Sequence, residues 1–76
     1  MREVTIISNT AHTMEKFNSS ATTWGELCEE HSKIEDMSAG LKVVEKSTKA
    51  ILGRDTNLPP VNFTVYLYPA KVEAGI

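Results

Sequence analysis

Three places in this 76-residue chain carry residue types that can do chemistry: Cys28 with His31, the isolated His12, and the terminus Ala74-Gly75-Ile76. A thiol three residues from an imidazole can form an activated nucleophile or half of a metal site. Both chemistries need further groups. Cys28 and His31 fall on the apolar face of a predicted helix, and no other ligand stands at suitable spacing. A buried structural cysteine is the expectation. His12 lies across a predicted turn and completes no triad. The terminus offers different chemistry. A glycine carboxylate has no side chain to obstruct it and can enter a narrow enzyme channel in extended form to be adenylated. Gly75 acquires that carboxylate only after Ile76 is removed. An incidental glycine in a frayed tail accounts for the same residues and is the preferred reading. There is no phosphate loop, nucleophile elbow, zinc spacing or dinucleotide fingerprint. Neither enzymatic activity nor a metal or other cofactor is expected.

The bulk properties narrow the classes further. Seventy-six residues make one small domain, near the lower limit for a chain that folds unaided. Apolar content of 41% beside 24% charged residues is too apolar for a disordered chain. A net charge of −2 and eight scattered basic residues argue against a nucleic-acid partner. The single cysteine excludes an intramolecular disulfide framework and fits a reducing compartment. The start, MREVTIIS, lacks the apolar run of a signal peptide, and no stretch approaches the length of a membrane span. A cytoplasmic protein without a membrane partner is expected, with residence in a virion as the other location.

These groups must be positioned by a short series of elements. Residues 2–8 (REVTIIS) alternate and are rich in β-branched side chains; residues 12–17 (HTMEKF) can return as a second strand. Thr23-Trp24-Gly25-Glu26 has the form of a capping box, with the Thr23 hydroxyl accepting from the Glu26 amide and the Glu26 carboxylate reaching back. Trp24, Leu27, Cys28, His31 and Ile34 then recur at helical spacing. The spacing predicts one helix over residues 23–32, with Ile34 and Met37 in a loosely helical turn. Gly25 weakens its first turn by about 1 kcal/mol relative to alanine. Residues 41–46 (LKVVEK) read as a third strand and 48–52 (TKAIL) as a short partner. Residues 61–68 (VNFTVYLY) form the strongest strand signal, led in by Leu58-Pro59-Pro60 and closed by Pro69. The predicted core is Val4, Ile6, Trp24, Leu27, Cys28, Leu41, Val43, Phe63, Val65 and Leu67, with Met14, Phe17 or Ile34 at its edges. Domain limits are 1–69, followed by a flexible tail at 70–76.

Strand–strand–helix–strand–(strand)–strand is the order of a ubiquitin-like β-grasp, an α+β fold with a mixed four- to five-stranded sheet packed on one helix. The stretch from Leu41 to Gly75 resembles protein C of the PRTRC systems, a ubiquitin-like family of plasmids and phages. The residues that carry the resemblance are Leu58-Pro59, Phe63-Thr64-Val65-Tyr66-Leu67, Pro69, Lys71 and Gly75. The first 40 residues agree only in element order. Because such systems also encode proteins resembling a ubiquitin-activating enzyme and a deconjugating protease, the resemblance implies a modifier or carrier role for Gly75. The chain departs from that pattern in having one glycine rather than two, with Ile76 after it.

The final strand turns Thr64, Tyr66 and Tyr68 to the side opposite Phe63, Val65 and Leu67. In the matching register Ile7, Val44 and Ile51 join them, making an aromatic and aliphatic patch of the kind that recruits partners. Cross-strand stabilisation alone also accounts for such residues. The expected function is non-enzymatic protein–protein interaction through this face, as a small accessory protein of plasmid or phage origin that recruits or inhibits a host or mobile-element protein. A covalent modifier or sulfur carrier activated at Gly75 and a structural component of a phage particle are the competing expectations.

Overall fold

The computed structural model describes residues 1–9 and 11–69. Four strands and two helices follow one another as β1 (Arg2–Ser8), β2 (Thr13–Ser19), α1 (Trp24–Glu30), α2 (Ser32–Ser38), β3 (Leu41–Glu45) and β4 (Phe63–Pro69). The strands form one mixed sheet in the order β2-β1-β4-β3. The central pair β1–β4 is parallel, with Ile6 opposite Val65, and both outer pairings are antiparallel. A parallel central pair cannot be closed by a hairpin, so the chain between β1 and β4 must cross one face of the sheet. The two helices make that crossing.

Alternation sorts the side chains. Val4 and Ile6 of β1, Val43 of β3 and Phe63, Val65 and Leu67 of β4 point to the helices and are buried with Trp24, Leu27, Cys28 and Ile34. Leu52 and Leu58, from the long β3–β4 connection, complete this core. Neither stands in a regular strand or helix. Leu58 lies in a Pro-bounded lead-in where periodicity gives no mark, and Leu52 ends the segment expected as a strand but is not among the predicted core. Ile34, expected at the core edge, is fully buried, whereas Leu41 is only partly buried. Phe17 packs partly buried against the core as expected, whereas Met14, the third expected edge residue, is 60% exposed and pairs with Ile7 on the opposite side of the sheet.

The single helix expected over residues 23–32 is instead two seven-residue helices broken at His31, where φ −125° and ψ 96° are extended. No proline or glycine causes the break. The His31 ring packs against Phe17 with centroids 5.1 Å apart, and its Nε2 lies 3.1 Å from the Asn18 carbonyl oxygen. This anchor on β2 accompanies a new helical direction that carries Ile34 into the core. Gly40, at φ +73°, follows α2 in the left-handed conformation that ends helices without a Cβ penalty. The expected strand over 48–52 reduces to one bridge, Val44 to Ile51, held by the Glu45 amide on the Ala50 carbonyl and the Leu52 amide on the Val43 carbonyl, both at 2.9 Å, with the Leu52 side chain buried in the core. The sheet therefore has four strands among the described residues.

Two local networks hold the ends of this layout. Arg2 donates from Nε to the Pro59 carbonyl at 3.0 Å, from one terminal nitrogen to the Ser19 carbonyl at 2.9 Å, and from the other to the Ala21 carbonyl. Its guanidinium also lies 5.7 Å from the Phe63 ring centroid. One side chain thus joins the start of β1, the end of β2 and the lead-in to β4. At the other network, Glu45 is 3% exposed and its carboxylate accepts from the backbone and hydroxyl groups of both Ser47 and Thr48. Burial pushes its pKa up, but these four hydrogen bonds outweigh burial and hold it below the ordinary glutamate value of 4.5.

Candidate functional site: the outer sheet face

Covering one face of a four-stranded sheet with helices leaves the other to solvent or to a partner. On this open face the register aligns one residue from each strand. Met14 lies opposite Ile7, Ile7 opposite Tyr66, Tyr66 opposite Val44, and Val44 bridges to Ile51. The result is an apolar row running across the strands, five positions long. Its middle residues Ile7, Tyr66 and Val44 are half-buried by their neighbours, while Ile51 is 64% exposed.

Rows of different chemistry flank it. On one side Lys16 pairs with Thr5, Thr5 with Thr64, and the Lys46 amide donates to the Thr64 carbonyl at 2.8 Å. On the other side Tyr68 pairs with Lys42. The Tyr66 and Tyr68 rings are tilted at 51° with centroids 6.0 Å apart. The six residues singled out from sequence, Ile7, Val44, Ile51, Thr64, Tyr66 and Tyr68, therefore occupy one face. Four of them share the central row, and Thr64 and Tyr68 stand in the rows beside it.

Met14 extends the row and was missed. Its side is set by the pairing of β1 with β2: the antiparallel register puts Met14 opposite Ile7 and so on Ile7's side. Gly75, the proposed conjugation terminus, and the tail at 70–76 lie outside the described residues.

The remaining chemical candidates are dispersed. Cys28 is in the core, and burial pushes its thiol pKa up, with the nearby Glu35 charge adding to the effect. A thiol so placed is protonated at neutral pH and a poor nucleophile. The His31 ring is engaged by Phe17 and the Asn18 carbonyl. Among the described residues, no three His, Cys, Asp or Glu side chains are grouped to hold a metal ion, and no helix is long and apolar enough to cross a membrane.

Charge divides between the two faces. The helices expose Glu26, Glu29, Glu30, Glu35 and Asp36. Two of the basic residues on that side are tied, Lys33 to Glu15 at 2.7 Å and Arg54 to Glu35 at 3.6 Å. Among the described residues the open sheet face carries Lys16, Lys42 and Lys46 against one acid, Glu3, which pairs with Asn18. A net charge near zero thus conceals a molecule acidic on its helices and basic on its sheet.

No protein-family model, curated protein or solved structure matches this chain. The class established is a small α+β domain: a four-stranded mixed sheet covered on one face by two short helices.

Proposed function

We propose that this protein is a ubiquitin-like β-grasp module that acts without catalysis, by docking a protein partner on its open sheet face. The β-grasp reading is supported by the strand order β2-β1-β4-β3, the parallel central pair and the helical crossover between β2 and β3. The observation that carries the docking reading is the register of Met14, Ile7, Tyr66, Val44 and Ile51, which aligns apolar side chains from every strand across a face that no other element among the described residues covers. Contiguous apolar surface of this kind on a small domain marks a site of association. The resemblance to the PRTRC family makes a plasmid- or phage-encoded accessory role the natural context.

The test compares wild type with Ile51→Glu and Tyr66→Glu in co-purification from cells that make the protein. Both variants lose the partner that wild type captures, while far-ultraviolet circular dichroism stays unchanged. Retention of the same partner by both folded variants overturns the reading. Ile51 is exposed and pairs through a single bridge, so its variant remains informative if a charge at Tyr66 disturbs the sheet. A chain lacking Gly75-Ile76 retains the partner, which separates docking from conjugation through Gly75.

A further inference from the structure

The apolar row runs across the strands rather than along them, and this restricts what can lie on it. Four strand positions and the bridged Ile51 at about 4.8 Å spacing give a row about 19 Å long. An extended peptide placed along a strand would meet it at only one point. An amphipathic α-helix of about thirteen residues, rising 1.5 Å per residue, has the same length and presents its apolar side chains in a single stripe.

The flanks select its charge. Lys16 and Lys46 stand near the two ends of the row on one side, and Lys42 stands on the other. A helix lying in the row exposes both of its own flanks to these lysines, and carboxylates there meet opposite charge at each. The acidic helical surface on the far side of the molecule repels such a partner and directs it to the sheet. A symmetric face-to-face dimer would instead bring two sets of lysines together.

We infer that the occupant of the open sheet face is an acidic amphipathic helix of about three to four turns, lying across the strands along Met14, Ile7, Tyr66, Val44 and Ile51 with its carboxylates toward Lys16, Lys42 and Lys46. The inference rests on the docking reading and names the partner's chemistry.

Two synthetic fourteen-residue helical peptides test it. One has a leucine stripe flanked by glutamates; the other has lysine at every glutamate position. Each is titrated into the isotopically labelled full chain at low ionic strength. The acidic peptide shifts the resonances of Ile7, Val44, Ile51 and Tyr66, and the lysine peptide does not. Raising salt weakens the acidic peptide severalfold, and combined Lys16→Glu, Lys42→Glu and Lys46→Glu weakens it at least tenfold.

Equal binding of the two peptides, binding of neither, or shifts confined to the β2 edge overturns the inference. So does salt-sensitive self-association through this face in sedimentation, which assigns the row to a second copy. If charge reversal changes nothing while Ile51→Glu abolishes capture of the cellular partner, docking stands and the acidic helix falls. If Ile51→Glu and Tyr66→Glu also leave that capture intact, both fall.

Discussion

Gly25 shows how a residue that weakens its own helix can be required by its neighbours. Its amide donates to the Arg54 carbonyl at 2.9 Å, and the adjacent Trp24 amide donates to the Thr56 carbonyl at 3.2 Å. Two of the free N–H groups at the start of α1 are thereby satisfied by the β3–β4 connection. A Cβ at Gly25 would stand 2.9 Å from the Arg54 carbonyl oxygen, a backbone atom that cannot turn aside. Alanine raises helix propensity by about 1 kcal/mol, but crowding of this kind costs about 1–3 kcal/mol. Gly25→Ala is therefore expected to destabilise the protein in chemical denaturation. A stabilised variant would show that the loop yields. The capping box beside it was legible in part: Thr23 Oγ1 accepts from the Glu26 amide at 3.2 Å as expected. The Glu26 carboxylate, however, reaches one residue further, to the amide and hydroxyl of Thr22, both at 2.9 Å.

At the scale of elements, the broken helix is the main departure from the sequence pattern. Helical periodicity continues through Ile34, so the pattern alone does not reveal an interruption at His31. At the interruption the His31 ring meets Phe17 and the Asn18 carbonyl, which are distant in sequence and brought close by the fold of β2. Its consequence is energetic. Ile34 is fully buried rather than peripheral, so Ile34→Ala is expected to cost about 2–5 kcal/mol in equilibrium unfolding. A loss below about 1 kcal/mol would mean that α2 packs loosely. The turn after β3 is organised differently again. Lys49 adopts φ 62°, and its amide donates to the Glu45 carbonyl at 2.8 Å while the Glu45 amide donates to the Ala50 carbonyl at 2.9 Å. Glu45 closes this turn through both its backbone and its carboxylate.

The whole molecule responds to acid through such carboxylates. Glu45 is held below its ordinary value because its four hydrogen bonds outweigh the effect of burial, and Glu26 is lowered by its hydrogen bonds to Thr22. In the unfolded chain both titrate near 4.5. Each therefore contributes stability that is fully present above that pH and is lost as pH falls through the lower folded value. Thermal unfolding followed from pH 7 to pH 3 is expected to show a midpoint that declines below about 4.5. Glu45→Gln puts an amide N–H₂ against the Ser47 or Thr48 donors, so it lowers the midpoint at pH 7. The variant's deficit shrinks toward pH 3, where wild type has also lost its carboxylate. A deficit constant across that range would remove Glu45 as a source of the pH dependence. The asymmetry of charge belongs to this scale too: five exposed acids on the helices and three lysines on the open sheet face yield a net −2 for the chain only after the remaining residues are counted.

The amino-acid sequence by itself determined β1, β3 and β4, the presence of a helix from Trp24, and which side chains of β4 face inward. Each of these depends on a period of two or of about 3.6 residues and on local punctuation by Thr23, Gly40 and Pro69. The same alternation placed Ile7, Val44, Thr64, Tyr66 and Tyr68 on one face once the strands were aligned. Tertiary structure alone decided the rest. Leu58 enters the core from irregular backbone, where no period marks burial, Leu52 enters it from a segment that keeps only one bridge of its expected strand, and Met14 leaves it because pairing with Ile7 fixes its side. His31, where the helix breaks, sits against partners on β2 that no local period reveals, and lysines from two separate segments, Lys16 of β2 and Lys42 with Lys46 at β3, become flanks of one row only when pairing brings those segments together. Local periodicity selects elements, whereas partners far apart in sequence decide where the elements end and what surface they make together.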